Sequence, residues 1–312
     1  MKGGRIGYTL LLSPVAVPNL YYKERGKDMN KKEFINAMIP ICQESGLMVI
    51  TQPRYSEMET MHGVYLKKTK TEKINFTPVT YLEDYFDTNL DKDDLFDIVN
   101  NIKDVLSKSY PNPVYEISDI VGDFPKAKCH IKTRISNLKK VSSIAFNSDL
   151  FVIPYLDLAI SFYLDFGNAT VAITQNLINL WNVSLNEITD CAKENTLKGF
   201  QTENFFDYMG RIFDEQALHI ENVYFIYNNE SDYGAVSLYY AKDILDPLAQ
   251  KVGNLFLVPI AEGGIIATPI SEINESIISM NQEFLETAPG EGLTESLYMY
   301  NVDSKTVSFF NN

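Results

Sequence analysis

Most of the strand-like runs in this 312-residue chain are joined by short polar turns, and that spacing constrains the fold more than any other feature. Gly167-Asn168 lies between the extended runs 156–164 and 170–174, and 228–234 separates 223–227 from 235–240. Glu262-Gly263 separates 255–259 from 264–268, and Asp303-Ser304 turns 297–301 onto 306–310. Runs joined this closely pair antiparallel, because a parallel pair needs a crossover of about a dozen residues or more. Helical stripes lie between the hairpins. Ser184 with Glu187 three residues on forms a capping box. Phe205, Met209, Ile212 and Phe213 keep helical spacing, as do Ile273, Ile277, Met280 and Phe284 after Ser271, and Asp243 or Asp246 opens another helix.

Nearer the start, Asn30 caps a helix carrying Phe34, Ala37, Met38 and Cys42, which Pro40 is expected to kink or break. Strands follow at 47–54, 63–69 and 77–81, and then a helix over 92–107 with Leu95, Ile98, Val99, Ile102, Val105 and Leu106 on one stripe. The pattern predicts an α+β fold. It consists of an antiparallel sheet built from hairpins with intervening helices, plus a smaller N-terminal α+β region.

Charge divides the chain. Residues 1–140 hold 21 Lys/Arg and 18 Asp/Glu, a balance of +3, whereas residues 141–312 hold 6 and 23, a balance of −17. The asymmetry places a boundary near residue 140 and argues against phosphate-backbone binding by the acidic half, so a nucleic-acid partner is not expected. Before Met29 stands Lys23-Glu24-Arg25-Gly26-Lys27-Asp28, whose codons would be almost entirely purine, as in a ribosome-binding site read through in frame. The expectation is that Met29 is the true start. The divisions are then 1–28 as an N-terminal extension, 29–140 as the N-terminal α+β region, and 141–312 as an acidic α+β domain. No apolar run reaches the roughly 18–20 residues a membrane helix needs. Cys42, Cys129 and Cys191 are odd in number and far apart, the usage of a reducing, cytoplasmic compartment.

Candidate chemistry is sparse. The run 126–135 alternates, and as a strand it would place Lys126, Lys128, His130, Lys132 and Arg134 on one face, suited to an anionic ligand or acidic partner. The same face would equally serve as a solvated surface that deters edge aggregation. Asp87–Asp93 begins like a calcium loop, but Lys92 and Ile98 stand where Gly and a bidentate Glu are required. Cys129 and His130 would point to opposite faces of a strand and cannot act as a nucleophile–base pair. His62, His130 and His219 share no metal-ligand spacing. Neither Glu262-Gly263-Gly264 nor Pro289-Gly290-Glu291-Gly292 continues as a phosphate loop. No metal and no cofactor is therefore expected. Asp157, Asn195, Tyr233 and Glu262 are the candidate catalytic residues, because they fall near element ends, where sites collect.

Several short motifs stand in a recognisable order. They are Asp157-Leu158-Ala159-Ile160, Ile173-Thr174, Trp181-Asn182-Val183 and Ala192-Lys193-Glu194-Asn195-Thr196, then Tyr233-Gly234-Ala235, Pro259, Asn281 and the set Leu293, Ser296, Tyr298 and Tyr300. With looser matches from Met29 onward, this order resembles an uncharacterised bacterial family, domain of unknown function fifty-six eighty-eight, found mostly in Firmicutes. The resemblance implies no activity. Members often follow the strand-ending proline with two serines and a His-Glu pair, where this chain reads Ile260-Ala261-Glu262-Gly263-Gly264. The reading that results is a binding or interaction protein without catalysis, whose acidic C-terminal surface meets a basic protein partner. The alternative is a hydrolase or transferase with a site in an interdomain cleft.

Overall fold

The computed structural model describes residues 8–12, 29–54, 59–66, 76–87, 90, 94–108, 112–145, 149–167, 169–213, 221–230, 233–260, 263–287 and 293–310. The chain forms two compact units, one of Met1–His130 with Tyr163–Val183 and one of Ile131–Phe162 with Ser184–Asn312. In chain order the first unit carries β1 (Tyr8–Leu12), α1 (Lys31–Glu44), β2 (Leu47–Arg54), β3 (Glu59–Leu66) and β4 (Phe76–Tyr81). Helices α2 (Asp94–Lys108), α3 (Asn112–Val121) and α4 (Phe124–Ala127) follow. To the second unit belong β5 (Ile131–Asn137), α5 (Leu138–Ala145), β6 (Val152–Tyr155) and the start of β7 (Leu158–Asp165). The end of β7, β8 (Ala169–Ala172) and α6 (Gln175–Trp181) belong to the first. The rest is second-unit: α7 (Leu185–Thr196), β9 (Phe200–Asn204), α8 (Phe205–Phe213), β10 (Tyr224–Asn228), α9 (Ala241–Ile244) and α10 (Asp246–Val252). After these come β11 (Leu255–Ile260), β12 (Gly264–Pro269), α11 (Glu275–Thr287), β13 (Tyr298–Asn301) and β14 (Thr306–Phe309). The fold is α+β, and its sheets are predominantly antiparallel.

In the first unit β2 and β3 form a long antiparallel hairpin, with Leu47 opposite Leu66 and Arg54 opposite Glu59. Pairing continues from β3 to β4, from β4 to β1, and from β1 to β8. Helices α1 and α2 cover this hairpin with Phe34, Met38, Cys42, Leu95, Val99, Ile102 and Leu106, all buried against Leu47 and Val64. The amphipathic stripe read from the sequence of α2 is thus the one the sheet covers. Helix α1 begins at the expected box: Asn30 Oδ1 accepts the Glu33 amide at 3.0 Å, and Glu33 Oε2 accepts the Asn30 amide at 3.2 Å. It runs on through Pro40 as one helix. The proline is exposed, and the packed stripe of Phe34, Met38 and Cys42 holds the turns on either side of it.

The second unit is built on a six-stranded antiparallel sheet in the order β14-β13-β11-β12-β10-β9. Its middle is apolar: Leu255, Phe256, Leu257 and Val258 of β11 and Ile265 and Ala267 of β12 are buried. The hairpins β11–β12 and β13–β14 fall where their turns predicted them. The expected strand 235–240 is instead a 3-10 turn over Gly234–Leu238, and β10 pairs with β12 and β9. Gly234 packs against the carbonyl of Gly263 and the Cα of Tyr227 so closely that no side chain fits between them.

Candidate functional site

Asp157 occupies a two-residue turn between β6 and β7, closed by the pairing of Tyr155 with Leu158. Tight hairpins demand left-handed backbone at a central position, and Leu156 supplies it at φ 56°. For a bulky L residue that conformation costs about 1–2 kcal/mol, so the turn needs external support. The backbone amide of Leu138 donates to the Asp157 carbonyl at 3.1 Å. Its carboxylate receives three hydroxyls. Thr294 Oγ1 donates to Oδ2 at 2.5 Å, Ser296 Oγ to the same oxygen at 2.9 Å, and Tyr298 Oη to Oδ1 at 2.5 Å. The Ser296 amide in turn donates to Thr294 Oγ1 at 2.9 Å, and Asn137 Nδ2 donates to the Leu293 carbonyl at 3.0 Å.

Residues 294, 296 and 298 alternate in the segment that leads into β13, and their hydroxyls converge on the one carboxylate. Asp157, Ser296 and Tyr298 stand out in the sequence but Thr294 does not; that period of two is the signal that points to it. Thr294 and Tyr298 are buried, and Asp157 and Ser296 half-buried. Burial, and then the bond to Asp157, pushes the Tyr298 phenol well above its ordinary value, so it remains a protonated donor. Three donors engage a carboxylate that has about four acceptor positions. Among the described residues no histidine bonds to Ser296, whose hydroxyl donates to Asp157. Chemically the cluster is a joint: an anion that fastens the segment 293–298 to a strained turn.

Asn195 and Tyr233 are also fastened within the second unit. Asn195 is buried and donates from Nδ2 to the Ile131 carbonyl at 3.0 Å, while Lys198 Nζ donates to its Oδ1 at 3.3 Å. Next to it, Thr196 Oγ1 accepts the Thr133 amide at 2.9 Å, which seats α7 on β5. Tyr233 lies under the Arg134 guanidinium, 4.5 Å from its ring centroid, a cation–π contact made by a buried arginine. Glu262 lies outside the described residues.

The cationic strand face is corrected by the structure. Lys126 lies in α4, and Lys128 and His130 in a 3-10 turn, Lys128–His130; only Lys132 and Arg134 are on a strand, β5. Pro125 sits in the first turn of α4, where its missing N–H costs nothing, and the Lys126 and Ala127 amides close on the Asp123 carbonyl at 2.9 Å. The five groups share no face. Lys126 pairs with Asp123 at 3.5 Å, His130 Nδ1 meets the Asp165 carbonyl oxygen at 3.0 Å, and Lys132 Nζ donates to the Glu230 carbonyl at 3.2 Å. Neither the described histidines nor the cysteines belong to a metal cluster: among the described residues no group of three or more His, Cys, Asp or Glu is placed to hold an ion. His62 is held by Glu83, Nδ1 to Oε1 at 2.8 Å, and His219 lies outside the described residues. No helix among the described residues is long and apolar enough to cross a membrane.

What the second unit does present is negative. Helix α7, with Ser184 as its N-cap, turns Ile188, Ala192, Asn195 and Thr196 inward. Glu187, Asp190 and Glu194 are exposed at spacings of three and four, one continuous helical face. Of the six Lys/Arg in residues 141–312, Lys193 pairs with Asp243 at 2.8 Å, Arg211 with Glu203 at 2.7 Å and Lys305 with Asp246 at 2.8 Å.

A model of a family of unknown function, DUF5688, matches residues 31–302. The chain belongs to that family. Neither a curated protein nor a solved structure matches it. The DUF5688 match takes in every element from α1 to the β13 strand, including the Asp157 joint and the acidic face of α7.

Proposed function

We propose that this DUF5688 protein is a non-enzymatic binding protein whose acidic second half engages a basic protein partner. The observation that carries the reading is the exposed Glu187-Asp190-Glu194 face of α7, in a half-chain where three of the six cations, Lys193, Arg211 and Lys305, are paired with its own acids. Such a face attracts a cationic surface over about 8 Å at physiological ionic strength and hastens encounter more than it deepens affinity. Asp157 supports the same reading from the other side, since its carboxylate is consumed by three internal donors rather than held ready for a substrate.

The test is affinity capture of the tagged chain from its host lysate at low and moderate salt, beside a Glu187→Gln/Asp190→Lys/Glu194→Lys variant. Glutamine keeps the capping box with Ser184, so the helix start survives while the charge goes. A basic protein retained at low salt, released as salt rises and lost from the variant is the expected result. Capture of no partner, or the same partner on the variant, would overturn the proposal.

A further inference from the structure

We infer that the space between β4 and β8 in the first unit is a strand-acceptor site for an extended, uncharged, leucine-rich segment of a partner protein. In this chain β1 fills it as an exchangeable strand in cis. The inference concerns a different unit from the acidic face and stands apart from it.

Strand β1 is bounded on both sides. It runs parallel to β4, from Tyr8 opposite Phe76 to Leu11 opposite Val79, and antiparallel to β8, with Leu11 opposite Thr170 and Leu12 opposite Ala169. Lifted out, it would leave β4 and β8 about 10 Å apart, each with a bare row of backbone donors and acceptors. Yet both neighbours are made like edges. Strand β4 carries Pro78 opposite Leu10, and proline, lacking an N–H, belongs within sheets to edge strands. Strand β8 is four residues long, the shortness by which edges are blunted. The DUF5688 match from residue 31 contains both walls of the slot and leaves out the strand that fills it. Recognition would therefore be by strand addition, in which the backbone ladder gives affinity and alternate side chains give selectivity. The strand that occupies the slot in this chain, β1, reads Tyr-Thr-Leu-Leu-Leu, uncharged and leucine-rich. From Leu12 to the first residue of α1 there are 18 intervening residues, up to roughly 60 Å when extended, so the strand is a tethered ligand rather than one arm of a tight hairpin. A chain begun at Met29 would carry the slot open; one begun at Met1 carries it plugged.

A tether of this kind sets an effective concentration on the order of millimolar, against which any ligand in trans must compete. The experiment uses the full 312-residue chain and a fluorescently labelled peptide of residues 6–13, read by polarisation. Leu10→Pro in the chain weakens the strand in cis, and is expected to tighten peptide binding at least about tenfold over the parent. The same substitution in the peptide is expected to abolish binding. Thr9 and Thr77 are directly paired, so Thr9→Cys/Thr77→Cys in a Cys129→Ser background should close a disulfide that locks β1 in place. The locked chain should refuse the peptide and accept it again after reduction, a readout that survives even if the proline variant misfolds. Equal binding to locked and reduced chain would overturn the inference, and so would a disulfide that never forms. Dimers of the parent that grow with concentration and vanish on locking would overturn the partner-protein assignment in favour of a second copy.

Discussion

Replacing Asp157 by alanine should destabilise the second unit by about 3 kcal/mol, and the figure can be built from the joint itself. Three hydroxyls lose an ionised acceptor, a kind of bond worth roughly 1.5–3 kcal/mol when one partner is charged. The three losses do not add. Ser296 is half-buried and can turn to water, and Tyr298 Oη lies 3.2 Å from Thr294 Oγ1 and can donate there instead. What remains is one buried hydroxyl, Thr294, without an acceptor, together with the lost anion that offset the left-handed turn at Leu156. Asp157→Asn keeps one acceptor and should cost about half as much. For a unit of this size a loss of about 3 kcal/mol lowers the thermal midpoint by roughly 6–12 °C. Urea and thermal unfolding followed by tyrosine near-ultraviolet dichroism report on both units, since each holds about half of the tyrosines. Fluorescence of the single tryptophan, Trp181, whose Nε1 donates to the Val121 carbonyl at 2.7 Å, reports on the first. The tyrosine signal should shift more than the tryptophan signal. Tyr298→Phe should cost at least about 1 kcal/mol less in the Asp157→Ala background than in the parent, since the two side chains share one bond. A loss below about 1 kcal/mol for Asp157→Ala, or no coupling to Tyr298, would refute the account of Asp157 as a joint.

Three further outcomes follow from burial. Burial raises the phenols of Tyr85, Tyr155, Tyr240 and Tyr298, that of Tyr155 to about 12. An unfolded tyrosine releases its proton near pH 10 while these hold theirs, so stability present below about pH 10 should fall as pH rises above it. In an absorbance titration of tyrosinate this class should ionise together with loss of dichroism, not before it. Thiol titration should find Cys129 first, because it is exposed, and Cys42 only on unfolding, since it is buried and its thiol is pushed up to about 11. Gly234→Ala should cost about 3 kcal/mol in chemical denaturation, because backbone atoms of Gly263 and Tyr227 occupy the place of the new methyl.

Local signals in the sequence carry far. Asn30 with Glu33 and Ser184 with Glu187 form the capping boxes their spacing announces, because a cap is a contract among four consecutive residues and needs nothing distant. The hairpin turns at Gly263 and Asp303-Ser304 are local in the same sense. Where sequence and structure part, the deciding atoms are distant or the period is ambiguous. The alternation of Lys126 to His130 has only the small Ala127 and Cys129 on its apolar side, and Asp123 and Pro125 close a helical turn there instead. Residues 235–240 look like a buried strand, but Gly234–Leu238 is a 3-10 turn, and its Gly234 packs against the carbonyl of Gly263, nearly thirty positions away. Strand β9 is hidden in the sequence because its edge position leaves Gln201 and Thr202 exposed, without the apolar alternation that marks a half-buried strand. Asp157 and its three donors lie 137 to 141 residues apart, a distance at which spacing says nothing and only the fold brings them together.

Most of the polar residues that carry the family resemblance make a bond inside their own unit. Thr174 caps α6 by accepting the Leu177 amide, Trp181 bonds the Val121 carbonyl, and Asn182 ends the helix in left-handed backbone at φ 53°, a role suited to asparagine. Asn195 and Thr196 seat α7 on β5, Tyr233 and Gly234 shape the turn after β10, Asn281 bonds the Ile277 carbonyl, and Tyr300 bonds Asp246. Asp157, Ser296 and Tyr298 complete the set. Those bonds turn inward and specify architecture, whereas Glu194 of the same set is exposed on the acidic face of α7.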